Sequence, residues 1–117
     1  MSQYKYSLII AYVNTGFTDL VMEAARANGA HGGTTVHARG TGTKEIEKMY
    51  GITISDSKEM VMIVVKKTES DKILKAINDA AGLQTPGKGI AFSLPVEAVA
   101  GIKEMPEKVE KPEEKQS

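Results

Sequence analysis

Met60-Val61-Met62-Ile63-Val64-Val65 is a run of six apolar residues without a polar interruption. Its length and its β-branched residues predict a β-strand. Neighbouring side chains of a strand point to opposite faces of the sheet, so a strand that is apolar throughout needs cover on both faces. A chain of 117 residues can supply one layer of helices but has no second layer to spare. The run therefore predicts self-association, in which copies of the chain cover the second face.

Strand and helix patterns alternate on both sides of this run. Strand patterns cover residues 4–13, 33–39 and 90–94, and amphipathic helix patterns cover residues 18–28 and 68–81. Residues 43–54 are ambiguous, because they allow either a loop or a short helical turn that ends at Gly51. The order strand, helix, strand, strand, helix, strand predicts an α+β fold: a ferredoxin-like split βαβ sandwich with an antiparallel sheet. A parallel doubly wound sheet would need a helix between strands two and three, where only a short one fits.

The ends of the two helices have their own signals. Gly29 and Gly82 follow the helical patterns and are typical C-terminal stop residues. Thr68, with Asp71 three residues later, predicts a capping box at the start of the second helix. We therefore expect one domain over residues 1–102. Residues 103–117 include nine Lys or Glu residues and are expected to form a charged, disordered tail.

Composition narrows the possible functions. Lys plus Arg and Asp plus Glu each number 15, so the net charge is zero and gives no basic excess for nucleic-acid binding. Cysteine is absent, which excludes disulfides, thiolate metal sites and a cysteine nucleophile. The first six residues are polar and no apolar run reaches the length of a membrane span, so we expect a cytoplasmic protein.

Three glycine-rich loops are candidate ligand sites, namely residues 29–33, 40–42 and 87–89. Glycine lets backbone N–H groups approach an anion closely, and Lys88 adds a cation to the last loop, which suits a phosphate. Neither the P-loop pattern nor the dinucleotide fingerprint occurs, and for each loop taken alone an ordinary tight turn is the better explanation. No metal-ligand cluster and no nucleophile paired with a base is apparent, so the sequence argues against an enzyme.

Two segments resemble the PII family of signalling proteins. Residues 29–42 read GAHGGTTVHARGTG, similar to the second strand that leads into the PII T-loop, and residues 87–102 read GKGIAFSLPVEAVAGI, similar to its nucleotide loop and last strand. The resemblance covers residues 4–102. It implies a homotrimer that binds an adenine nucleotide in clefts between subunits. It also implies a flexible T-loop that regulates a protein target, either an enzyme or a membrane transporter.

The resemblance assigns roles to particular positions of this chain. Thr34, Gly40 and Gly42 match the base of the T-loop that lines the nucleotide cleft, and Val64 matches a position beside the adenine. The backbone of Gly87, Lys88 and Gly89 would face the phosphates, and residues 43–57 would be the T-loop, a few residues shorter than in the family.

Several basic positions of the family pattern are lost. Ile90 and Gly101 stand where the family has basic residues, and Thr43 and Lys44 replace its arginine and glutamine at the T-loop base, while Lys103 keeps its charge. Arg39 and Lys88 are the candidate substitutes. Since each lost charged contact weakens phosphate binding, AMP, ADP and ATP all remain open as effectors, with no obligatory cofactor. The alternatives are a trimeric interaction module without nucleotide binding and a small oligomeric enzyme on the same fold.

Overall fold

Four strands and three α-helices alternate along the chain in the computed structural model, which describes residues 4–41, 43–54 and 56–102. The elements are β1 (Tyr6–Asn14), α1 (Thr18–Ala27), β2 (Thr34–Arg39), α2 (Thr43–Tyr50), β3 (Ser57–Lys66), α3 (Ser70–Ala81) and β4 (Gly89–Val96). A single 3₁₀ turn, Lys67–Glu69, joins β3 to α3.

The strands form one antiparallel sheet in the order β2-β3-β1-β4. The two most apolar strands, β1 and β3, take the central positions, where Leu8 pairs with Val64 and Ile10 with Met62. This topology confirms the predicted ferredoxin-like split βαβ sandwich. Tertiary pairing lengthens β3 to Ser57–Lys66, beyond the predicted residues 60–65.

One side of the sheet and the two longer helices form the core. β1 and β3 alternate between buried and half-buried residues, and the buried set packs against the apolar stripes of α1 and α3. The fully buried large side chains of this core are Ile9, Val13, Val21, Val61, Ile63, Val65, Ile73 and Ile77. Among the described helices, none is both long and apolar enough to cross a membrane.

The start of α3 differs from the prediction. The chain makes its 3₁₀ turn first, so α3 begins only at Ser70 and Glu69 precedes it without a side-chain capping bond. Thr68 lies within the turn, and the predicted capping box of Thr68 and Asp71 is therefore wrong. The predicted stop is confirmed, since Gly82 has a φ of 63° and its N–H bonds to the carbonyl of Asn78.

Residues 43–50 take the helical alternative. They form α2, an eight-residue helix, and Gly51 follows it with a φ of 67° and donates its N–H to the carbonyl of Glu47 at 2.8 Å. Glycine adopts the left-handed backbone conformation that ends a helix more readily than other residues, which explains why α2 ends before Gly51. The predicted T-loop region thus contains a helix and a connection that leads to β3.

Candidate functional site

The face of the sheet opposite α1 and α3 is apolar over its centre, with Asn14, Lys58 and Lys66 at its ends. The strand register places on it Leu8, Ile10, Tyr12, Thr34, Val36, Ala38, Met60, Met62, Val64, Ile90, Phe92 and Leu94, which we call the open face. Of its large apolar side chains Ile90 on β4 is the most exposed, with 55% of its surface accessible. The predicted need for cover on both sides of β3 thus has a structural basis: α1 and α3 cover one side, and the other is the open face.

A cavity of about 220 Å³ lies at the end of the open face where β1 finishes and β3 begins. Its walls come from four parts of the chain, and we call it the glycine cleft. The lining residues are Tyr12, Gly40, Thr41, Ile46, Ile54, Lys58, Gly87, Gly89 and Ile90. Three residues predicted from the sequence, Gly40, Gly87 and Gly89, therefore share one cavity, although 47 positions separate the first two.

Lys58 supplies the cation of this cleft. Its side chain is buried, with 6% of the residue exposed, and its ammonium group donates a hydrogen bond to Oδ1 of Asn14. Nδ2 of Asn14 donates in turn to the carbonyl of Gly87 at 3.1 Å. Burial lowers the pKa of Lys58, and the nearby negative charge of Asp56 partly opposes this effect. Sequence analysis missed Lys58. The sequence feature that could have identified it is a lysine at the start of an apolar strand, at a position whose side chain points to the open face.

The two glycines of the last loop are needed for close packing. Gly89 has a φ of +140°, and a Cβ there would lie 2.3 Å from the carbonyl oxygen of Tyr12. Gly87 has a φ of +83°, and its Cβ would lie 2.9 Å from Cδ1 of Ile54. Strand pairing and loop packing thus account for both glycines before any ligand is considered.

The segment between β2 and β3 closes the cleft from outside. The side chain of Glu47 accepts a hydrogen bond from the N–H of Ile54 at 2.6 Å, which holds the connection against α2. Ile52 and Ile54 then line a second, shallower cavity of about 270 Å³ together with residues 85–88. The segment and the glycine loop therefore contact each other directly.

Thr34 and Val64 lie elsewhere. They line a cavity of about 300 Å³ at the opposite end of β3, which we call the Val64 cleft, with the lining residues His31, Gly32, Gly33, Thr34, Met62, Val64 and Ile102. Val64 is six residues from Lys58 along the strand, which corresponds to about 20 Å. Within one protomer the predicted site residues therefore form two groups.

The cations predicted for the site have other surroundings. Arg39 is the last residue of β2 and pairs with Ser57, so its side chain points to the side of the sheet opposite the open face. The ammonium group of Lys88 lies 5.1 Å from the centre of the Phe17 ring, an arrangement that favours a cation–π interaction. Gly42 and Lys103, the remaining predicted site residues, lie outside the described residues, as does the expected tail at 103–117.

Next to Lys58, the side chain of Glu59 points to the other face and fixes the start of α1. It accepts hydrogen bonds from the hydroxyl of Thr18 and from the N–H of Gly16, and Nδ1 of His37 lies 3.9 Å from its second oxygen. The hydrogen bond from Thr18 contributes most to lowering the pKa of Glu59. Within residues 4–41, 43–54 and 56–102, no three His, Asp or Glu side chains converge as metal ligands would.

Comparisons with known proteins agree on the family and the fold. The family model described as "Nitrogen regulatory protein P-II" matches residues 6–105. Among solved structures, the crystal structure of Arabidopsis thaliana PII bound to citrate matches with a TM-score of 0.66 and 25% sequence identity, over 90% of each chain. A comparison with curated protein sequences gives no significant match.

Proposed function

The chain belongs to the nitrogen regulatory protein P-II family, and we propose that it binds an adenine nucleotide between the subunits of a homotrimer and thereby regulates a partner protein. The family is one of signal-transduction regulators rather than enzymes. The observation that carries the proposal is the glycine cleft, in which Gly40, Gly87 and Gly89 meet the segment that would serve as the T-loop.

The open face supports self-association. Fully burying an exposed Phe, Leu or Ile side chain contributes about 1.5–3 kcal/mol, and the open face presents three such side chains on β4 alone. Contiguous apolar patches of this kind mark association surfaces in soluble proteins. We propose that three copies of the chain bury their open faces against one another.

The two clefts support a ligand site between subunits. Each lies at one end of the open face, and they are too far apart for one small ligand to touch both within a protomer. In the proposed trimer, the glycine cleft of one subunit faces the Val64 cleft of its neighbour. The glycine cleft then holds the phosphate end, while Thr34 and Val64 of the neighbour contact the adenine.

Regulation would act through residues 43–57. Ile46 of α2 and Ile54 of the connection form part of the glycine cleft, so a ligand in the cleft contacts this segment directly. A ligand shifts a conformational equilibrium only through contacts that differ between the two states, and these residues provide such contacts. We propose that the protein is cytoplasmic and that its target, either an enzyme or a membrane transporter, distinguishes the two positions of the segment.

Calorimetry and light scattering test the proposal together. Light scattering should give the mass of a trimer, and titration with AMP, ADP and ATP should show saturable binding of at least one of them. At about one hundred times its Kd, that nucleotide should stabilise the protein by about 2.7 kcal/mol in thermal unfolding. A trimer that binds none of the three would contradict the proposal and favour an interaction module that works without nucleotide.

A further inference from the structure

The glycine cleft is small, and its described lining carries a single cation. Pockets that hold whole drug-sized ligands measure about 300–1,000 Å³, so its volume of about 220 Å³ accommodates only one end of a nucleotide. Lys58 is the one cationic residue among its described lining residues, and Asp56 lies close enough to act on the charge of Lys58. The described lining thus offers a phosphate one positive charge, which the negative charge of Asp56 opposes.

The rest of the wall is apolar. Ile46, Ile54 and Ile90 reach the cleft from α2, from the connection and from β4. The other nearby cations are directed elsewhere, since Lys88 lies over the ring of Phe17 and Arg39 leaves the opposite side of the sheet. Beyond the position served by Lys58, a second or third phosphate would meet isoleucine side chains.

Burying a phosphate charge without a partner is strongly unfavourable. One phosphate group can use the ammonium group of Lys58, of whose three hydrogens Asn14 accepts one, and Thr41 is part of the same wall. Each further phosphate adds negative charge and finds no described cation in the cleft. The cost therefore rises with the length of the phosphate chain.

We propose that the glycine cleft accommodates a single phosphate group, so that the protein binds adenosine monophosphate in preference to ADP and ATP, with Ile90 as the residue that sets this preference. The inference rests on the proposed function, since it assumes that the phosphate end of an adenine nucleotide enters this cleft.

Calorimetric titration of the full chain with AMP, ADP and ATP, each with and without Mg²⁺, tests the preference. AMP should bind at least about tenfold more tightly than ATP, the effect of one charged contact. ATP binding equal to or tighter than AMP binding would overturn the inference and leave the proposed function intact. Binding of none of the three would overturn both.

Ile90→Lys tests the residue. The new ammonium group on the cleft wall should raise the affinity for ATP about tenfold or more and reverse much of the preference for AMP. Gln84→Lys adds the same charge to the exposed turn before the loop, outside the residues that line the cleft, and should leave the ratio of the two affinities unchanged.

Thr41→Arg provides a second route if Ile90→Lys does not fold, because Thr41 is an exposed lining residue of the same cleft. It too should raise the affinity for ATP relative to AMP. Because Ile90 lies on the open face, light scattering must give each variant the wild-type mass, and an unchanged ratio in a folded and assembled Ile90→Lys or Thr41→Arg variant would overturn the inference.

Discussion

Lys58 donates a hydrogen bond to Asn14 from the neighbouring strand, and Asn14 donates to the carbonyl of Gly87 at 3.1 Å. The two residues pair directly across β1 and β3, so the sheet itself brings the lysine to the glycine loop. This link joins three segments that are distant in sequence and places a charge at the end of the open face where Gly40, Gly87 and Gly89 meet.

Substitutions of Asn14 test separately its hydrogen bond with Lys58 and its hydrogen bond with Gly87. Asn14→Asp keeps the acceptor for Lys58 but loses the donor to Gly87, and it should lower the free energy of unfolding by about 1 kcal/mol. Asn14→Leu also leaves the buried ammonium group of Lys58 unpaired and should cost about 3 kcal/mol. Urea unfolding measures the loss in the free energy of unfolding for each variant. Equal losses would show that the charge of Lys58 does not require the hydrogen bond to Asn14.

Gly89→Ala should strongly destabilise the fold. A Cβ at this position would lie 2.3 Å from the carbonyl oxygen of Tyr12, and the φ of +140° is unfavourable for alanine. We expect a loss of about 3 kcal/mol or more. Gly32→Ala is the matched control, since no atom lies within 4 Å of its added Cβ and its φ is ordinary. Thermal unfolding of the two variants should differ clearly.

Glu47→Ala should loosen the connection after α2. The variant removes the acceptor for the N–H of Ile54, so that amide should exchange its hydrogen faster while the amides of β3 keep their protection. Glu45→Ala changes an exposed glutamate of the same helix and serves as the control. Exchange of the Ile54 amide at the wild-type rate would mean that Glu47 does not hold the connection.

Glu59 should make stability depend on pH in the acid range. Its pKa is lowered in the folded protein, first by the hydrogen bond from Thr18, so the folded state favours the ionised carboxylate. The resulting stabilisation is fully present above the unfolded-state pKa of about 4.3 and is lost as the pH falls through the lower folded pKa. Urea unfolding of the wild type and Glu59→Gln should therefore differ at neutral pH, and the difference should shrink as the pH falls below the unfolded-state pKa. A constant difference would assign the effect to something other than this ionisation.

Phe92→Glu should dissociate the assembly. The side chain lies on the open face and leaves 40% of its surface exposed in the single chain. Burying a glutamate in an apolar interface is strongly unfavourable. Leu20→Glu is a matched control, because Leu20 on α1 is 41% exposed but lies away from the open face. Light scattering should give a monomer for the first variant and the wild-type mass for the second.

The fold was largely predictable because its signals are local. The apolar run at residues 60–65, the helical periods and the stop at Gly82 each depend on neighbouring residues, and together they gave the correct order of elements. The capping box at Thr68 failed because a 3₁₀ turn of Lys67–Glu69 precedes α3, and the sequence pattern does not distinguish that turn from the helix.

The site was less predictable because it depends on register and on packing over long sequence separations. Lys58 reaches the glycine loop only through Asn14, 44 positions earlier in the chain. The predicted residues are divided between the glycine cleft and the Val64 cleft because they lie at opposite ends of the sheet. The sequence motifs do not specify that position. Lys88 has the expected place in the sequence, but its ammonium group lies over Phe17, a residue that no loop pattern would select.

Calorimetric titration of AMP, ADP and ATP into the wild type and into Phe92→Glu distinguishes a nucleotide site between subunits from a site within one subunit. We expect saturable binding to the assembled wild type and its loss in a folded, monomeric Phe92→Glu, because each monomer keeps only half of the site. Equal affinity for the monomer would contradict a site between subunits, and no binding to the assembled wild type would contradict nucleotide sensing itself.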